Sequence, residues 1–153
     1  MRTLSEQLER LQRIAPLLRC PQCGGELDRG EDEYACQGCV QRYPVVNGVP
    51  ILLSQEMRNQ GLGRSLGFDE HASTHPYSPA SEGLISELHT GWVRDLGAGG
   101  KQTDYAHVIQ MDVFRFPHTD VVGSADGLPF RTAVFDAVVS QAVFEHLQYP
   151  EAA

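Results

Sequence analysis

Leu4, Leu8, Leu11 and Ile14 recur at helical spacing until Pro16 interrupts the pattern, and Thr3-Leu4-Ser5-Glu6 ahead of them has the spacing of a capping box. The pattern predicts a short amphipathic helix within residues 1–16. Residues 17–53 follow as a cysteine- and glycine-rich module that ends in the apolar run Val49 to Leu53. Residues 54–77 show no period and several glycines, which predicts a linker, one whose Phe68 to Tyr77 stretch has the option of closing over a neighbouring site. Ser78-Pro79 reads as an N-cap and first helical position, with Leu84, Ile85 and Leu88 on one side of a two- to three-turn helix, so 54–90 is linker plus short helix. From Trp92 the texture changes to short apolar runs bounded by turn residues: WVRDL, VIQMD, DVVGS and VFDAVVS, each long enough for one buried strand. Ala142 to Leu147 begins another helical pattern.

Length and charge narrow what these elements can do. The 153 residues hold one ordinary domain or two small ones. Hydrophobic residues make up 41% of the chain, too many for general disorder. Acidic residues outnumber basic ones 20 to 12, a net charge of −8 that argues against an electrostatic nucleic-acid binder. The imbalance is uneven: 8 acidic against 7 basic up to Gln60, then 12 against 5. Arg2, Glu6, Glu9, Arg10 and Arg13 leave no apolar stretch for a signal peptide, and no run approaches the roughly 20 apolar residues of a membrane span. The expected location is the cytoplasm, where thiols stay reduced and cysteines serve as metal ligands.

Cys20-Pro21-Gln22-Cys23 and Cys36-Gln37-Gly38-Cys39 are two CxxC pairs separated by 12 residues. Each pair can form a knuckle that aims two thiolates at one ion, and four thiolates make a closed tetrahedral zinc site with no open position for a reactive water. Gly24, Gly25 and Gly38 are expected to supply unusual backbone angles. A segment of about 35 residues buries too little apolar surface to fold alone, whereas structural zinc contributes about 10–16 kcal/mol. Thioredoxin-like redox chemistry wants a single CxxC at a strand-to-helix junction, which two pairs at ribbon spacing do not provide. The strings LRCPQCGGEL and YACQGCVQRYPVVNGVPILL, from Leu18 to Leu53, resemble the zinc-ribbon family that includes small activator subunits of tRNA and ribosomal methyltransferases. The resemblance implies a docking or stabilising module, with a protein partner held through the ribbon.

Further along, Trp92 to Leu96 leads into Gly97-Ala98-Gly99-Gly100, a strand opening into a glycine turn where backbone approaches a ligand closely. A dinucleotide fingerprint needs glycine where Gln102 stands, and a P-loop needs Ser or Thr there after its lysine. A second acid, Asp112, ends the next predicted strand, where a carboxylate can accept both hydroxyls of a ribose. The order DLGAGG, VIQMDV, GSADGLPF, FDAVVSQAVFEHL resembles the class I S-adenosylmethionine-dependent methyltransferases, particularly their small-molecule-type branch, from Trp92 to about Leu147. The fold class that follows is α/β: a small zinc ribbon and then a partial Rossmann-like parallel sheet, assigned to residues 91–153, in strand order 3-2-1-4.

The resemblance also implies roles. Asp95 holds the methionine ammonium, Gly97, Ala98 and Gly99 admit the methionyl and ribose parts, and Asp112, with Val113 beside it, takes the ribose hydroxyls. Ser124, Ala125 and Asp126 stand where the family meets the adenine, with Ser124 at a position commonly acidic. Ser140 and Gln141 lie near the methyl donor. His146, Glu145 and His75 are candidate general bases, each equally well explained as a surface, helix-packing or loop residue. The asparagine-proline motif of many amino-group methyltransferases is replaced by Ser140-Gln141-Ala142-Val143, which disfavours nucleobase amines and glutamine amides and leaves the acceptor open. Leu128-Pro129-Phe130 reads as an apolar plug, and Phe135-Asp136 as a strand start with its turn acid.

Two spacings depart from the family. Only 15 positions separate Gly97 from Asp112, and only Val113 to Thr119 lie between the second and third strands, so the sheet is expected to be helix-poor there, an antiparallel pair being the lesser option. Four strands, against the longer family sheet, read as a C-terminal truncation with strand four as an exposed edge. Two functions follow: a methyltransferase or part of one with a structural zinc ribbon, or a noncatalytic ribbon adaptor on a degenerate methyltransferase-like scaffold.

Overall fold

The computed structural model describes residues 2–65, 74–103, 105–147 and 150. Helix α1 spans Leu4–Ile14 and starts with the expected capping box: Thr3 Oγ1 accepts the Glu6 N–H, and the Glu6 carboxylate accepts the Thr3 N–H at 2.7 Å. Its buried stripe differs from the leucine stripe. Leu4 and Leu8 are 58% and 38% exposed, while Gln7, Arg10, Leu11 and Ile14 face inward. The reason is polar: the Arg10 guanidinium bonds Asp120 at 2.6 and 2.9 Å and the carbonyls of Ala106 and Val108, and the Gln7 amide donates to the Thr119 carbonyl. A 3-10 turn, Ala15–Leu17, ends the helix at Pro16.

Four short strands follow as an antiparallel meander: β1 (Leu27–Arg29), β2 (Glu33–Cys36), β3 (Arg42–Val46) and β4 (Val49–Leu52). Asn47 and Gly48 both take positive φ, 52° and 77°, the two-residue turn whose twist matches a tight hairpin between β3 and β4. The aperiodic stretch after Leu53 contains an element that its lack of period hides, helix α2 (Gln55–Asn59), capped by the Ser54 side chain. It is too short for periodicity to register. The expectation for residues 66–73, including Phe68, falls outside the described residues. Helix α3 (Pro79–Glu87) has Ser78 as its N-cap; Ile85 is fully buried, whereas Leu84 is 39% exposed.

Strands β5 (Val93–Leu96), β6 (Val108–Asp112), β7 (Val121–Gly123) and β8 (Ala137–Ser140) are all parallel, which settles the antiparallel alternative. They lie in the order β7-β6-β5-β8, and β4 joins them by pairing parallel with β7, Ile51 with Val122 and Leu52 with Gly123. One eight-stranded sheet, β1-β2-β3-β4-β7-β6-β5-β8, therefore runs from the cysteines to the glycine turn. Its crossovers from β5 to β6 and β6 to β7 contain no helix among the described residues. Within residues 142–147, helical character is limited to a 3-10 turn, Phe144–His146, in place of the longer pattern from Ala142.

The two faces of the parallel strands are covered differently. Val93, Val108 and Val139 pack with Ile85 of α3 on one face. On the other, Leu96, Ile109, Met111 and Val121 share a cluster with Leu11, Ile14 and Leu18 and with Tyr34, Tyr43 and Leu52 of the meander. Burying each aliphatic side chain contributes about 1.5–3 kcal/mol, so the meander and the parallel strands stabilise one another through this shared core. Strand β8 lies at the sheet edge with Val138 48% exposed.

Candidate functional site

The four cysteine sulfurs lie within 4.8 Å of one another, Cys20 to Cys39 at 3.7 Å and Cys23 to Cys36 at 3.5 Å. Four thiolates at a Zn–S distance of 2.3 Å stand ~3.8 Å apart on a tetrahedron, so this donor set fits a zinc ion. Of the three glycines expected to supply unusual angles, only Gly24 has a positive φ, 73°. Gly25 and Gly38 serve by lacking a side chain: a Cβ on Gly25 would sit 3.2 Å from the sulfurs of both Cys23 and Cys36, and one on Gly38 3.3 Å from that of Cys23. Tyr43, fully buried, places its hydroxyl 3.1 Å from Cys20 Sγ. Burial pushes the Cys20 thiol up, but hydrogen bonds from the Tyr43 hydroxyl and the N–H groups of Cys23 and Gln22 outweigh it and bring the thiol to about 7.

At the other end of the shared core, β5 ends in the glycine turn, where Gly97 and Gly99 take φ of 67° and 58°. Asp95 is completely buried. One of its carboxylate oxygens, Oδ2, accepts from the Tyr77 hydroxyl at 2.7 Å and from Lys101 Nζ at 3.3 Å; the other, Oδ1, has no partner. Lys101 is itself only 6% exposed and lies over the Tyr77 ring, 4.2 Å from its centroid. Burial raises the Asp95 pKa above its ordinary value, with Lys101 and Tyr77 opposing the rise. The spacing between Tyr77, Lys101 and Asp95 carries no sequence signature: Lys101 was not legible as part of the site, and Tyr77 stood out only as the end of the stretch with the option of closing over it.

Asp112 closes the turn from β6. Its two oxygens accept the N–H of Gly99 at 2.9 Å and that of Phe114 at 3.0 Å. Its pKa is also raised, by burial first, against those two N–H groups. The register sets Asp95 opposite Gln110 on β6 and Leu96 opposite Ser140 on β8. Gln110 Oε1, Ser140 Oγ and Gln141 Oε1 are buried without hydrogen-bond partners, as is Asp95 Oδ1. Such a collection of unsatisfied polar atoms at the carboxyl ends of parallel strands is where an open α/β sheet binds its ligand.

Other expected site residues stand differently. Ser124 and Ala125 are buried and Asp126 exposed; the Asp126 N–H donates to Ser124 Oγ at 3.3 Å, making a small turn. Val113 is half-buried after β6, and Ala98 is buried within the turn. Val143 packs on Gly97, where a Cβ would come within 2.2 Å of its side chain. The candidate bases His75, Glu145 and His146 are all exposed. Asp136 accepts the Trp92 N–H at 2.9 Å and Phe130 is buried, as the structural readings of those segments expect.

Comparison with known proteins finds different matches for the N-terminal part of the chain and for residues 95–153. A UPF0434 protein of Cupriavidus necator is 36% identical over 63 residues, covering 40% of this chain and 93% of that protein. A UPF0434 protein of Hahella chejuensis is 31% identical over 58 residues, 37% of this chain and 97% of that protein. The chain belongs to the UPF0434 family. The family relationship matches the N-terminal part, where the cysteines lie. Beyond it, residues 95–153 match the family model of a methyltransferase domain, from the buried Asp95 onward. The α/β architecture agrees with a Rossmann-like methyltransferase fold. No helix among the described residues is long and apolar enough to cross a membrane.

Proposed function

We propose that this chain binds S-adenosylmethionine at the carboxyl ends of β5, β6 and β8 and takes part in methyl transfer, with the four cysteines holding a structural zinc ion. The observation that carries the reading is Asp95 Oδ1, a buried carboxylate oxygen without a donor beside the glycine turn. A carboxylate so placed is suited to the ammonium of the methionyl group. Gly97, Ala98 and Gly99 admit the adjoining chain, Asp112 and Val113 flank the ribose, and Ser124, Ala125 and Asp126 border the base. Ser140 and Gln141 border the methyl donor.

The cofactor supplies a sulfonium methyl that is already activated. The residues therefore need only orient the ligand and exclude water, with no catalytic triad. Asp112 orients indirectly as well: by accepting the Gly99 N–H it fixes the turn that faces the ligand. The exposed His75, Glu145 and His146 fit an acceptor that loses its proton without a buried base. In this reading the zinc ribbon stabilises the methyltransferase sheet through β4 and β7 and presents its outer strands to a protein partner.

Calorimetry on zinc-loaded protein tests the proposal. Saturable binding of S-adenosylmethionine is expected, and its loss in Asp112→Ala with an unchanged circular dichroism spectrum. Absence of binding at millimolar ligand in folded, zinc-loaded protein would overturn the cofactor reading in favour of a noncatalytic adaptor.

A further inference from the structure

The segment that leads from α1 into the ribbon and the connection between β7 and β8 border a second polar feature. Leu18 bridges to Phe130, the Arg19 N–H donates to the Pro129 carbonyl, and the Arg131 N–H donates to the Leu17 carbonyl, so residues 17–19 and 129–131 run side by side. Beside them is a cavity of about 260 Å³ lined by Arg19, Arg94, Arg131, Thr132, Phe130 and Phe135, among others. Alternation along β5 sends Arg94 to the opposite face of the sheet from Asp95.

The three guanidinium groups are not equivalent. Arg131 is neutralised: it binds the Glu26 carboxylate through two nitrogens and donates to the Pro16 carbonyl at 2.8 Å. Arg94 is 8% exposed, and its guanidinium lies 5.5 Å from the centre of the Phe135 ring. Neither Arg94 nor Arg19 has a carboxylate partner among the described residues, and the Nε of each is buried without a hydrogen bond. Burial lowers the Arg94 pKa, yet a guanidinium remains protonated in a protein. One buried and one half-buried positive charge thus border one cavity with no carboxylate of the described residues paired to either, an arrangement that is costly until a counter-charge enters.

We propose that this cavity binds a small phosphomonoester, its dianionic phosphate held between Arg19 and Arg94 and its organic part against Phe130 and Phe135. The double negative charge matches the two uncompensated guanidiniums, whose forked donors suit phosphate oxygens. The cavity measures about 260 Å³ and the whole chain carries a net charge of −8, so a small ligand fits better than a nucleic-acid backbone. The inference stands apart from the methyl-transfer reading, because Arg94 and Asp95 face opposite sides of β5.

The test is calorimetry on the zinc-loaded full chain in phosphate-free and sulfate-free buffer, with inorganic phosphate, phenyl phosphate and a short single-stranded RNA as probes. Phenyl phosphate is expected to bind with 1:1 stoichiometry and more tightly than inorganic phosphate, because it also contacts the aromatic walls. Arg94→Gln and Arg19→Gln should each weaken it about tenfold. Arg42→Gln, at a surface arginine paired with Glu33, should leave it unchanged. Arg19 is only half-buried, so its variant serves even if Arg94→Gln does not fold. Failure of phenyl phosphate to saturate the wild type, full affinity in Arg19→Gln, or binding of RNA alone would each overturn the proposal.

Discussion

The cysteine cluster and the glycine turn solve the problem of burying polar groups in opposite ways. In the ribbon, four candidate ligands drawn from 20 residues converge with the Tyr43 hydroxyl and nearby backbone N–H groups as their added partners, and the four thiolates fit one cation. Around the glycine turn the ligands come from separate strands, and protein groups already hold most of them: Lys101 and Tyr77 on Asp95, two backbone N–H groups on Asp112. The ribbon's thiolates thus call for a cation to offset them, whereas the turn's carboxylates already have protein partners. Preorganisation by internal partners keeps the turn in shape but sets any incoming cation in competition with Lys101.

The largest test of that contrast is metal removal. Stripping zinc should forfeit about 10–16 kcal/mol of coordination energy and release the amides of β1 and β2 to hydrogen exchange, while those of β5 and β6 stay protected. Equal loss of protection in both sets would show that the two regions are a single cooperative unit. Next in size is the contact that anchors α1 to the sheet. Asp120 is completely buried against Arg10, so Asp120→Ala should lower stability by about 3–5 kcal/mol in a denaturant titration, by stranding the guanidinium. Asp120→Ala combined with Arg10→Met should recover part of that loss.

A smaller effect is expected inside the ribbon. Tyr43→Phe removes the hydroxyl that meets Cys20 Sγ and should weaken zinc affinity about tenfold in a competition with a chromogenic chelator. Smallest of all is the exposed Arg131–Glu26 pair. Hydrogen bonding to Arg131 holds the Glu26 carboxyl below its ordinary value of 4.5. A depressed carboxyl contributes stability above the unfolded value and loses it as pH falls through the folded one. The stability difference between wild type and Glu26→Gln should therefore be present above pH 4.5 and shrink below it. Being exposed, the pair should move the denaturation midpoint only slightly.

Much of this was legible along the chain because it depends on near neighbours. The capping box at Thr3 and Glu6, the Ser78 cap, the four apolar strand runs and the two CxxC pairs are each settled by residues a few positions apart. Less was legible at the turn. Asp95, Gly97, Gly99 and Asp112 stand out by spacing, but Lys101 and Tyr77, which hold Asp95, are ordinary residues that become partners only when α3 and the turn pack together. The inward stripe of α1 was hidden for a related reason. Gln7 and Arg10 read as solvent-facing until the carbonyls of residues 106, 108 and 119 and the Asp120 carboxylate give them buried partners.

By itself, then, the sequence determined the local elements and the two sets of ligand candidates, because caps, knuckles and strand alternation are short-range consequences of residue type and spacing. The tertiary structure alone decided that β4 pairs with β7, that one core runs under ribbon and sheet, and that Arg19 and Arg94 meet at one cavity without a carboxylate partner among the described residues. Strand pairing between residues 71 apart, Ile51 and Val122, and the neutralisation of a buried charge are set by what else occupies the same space. No local pattern encodes that.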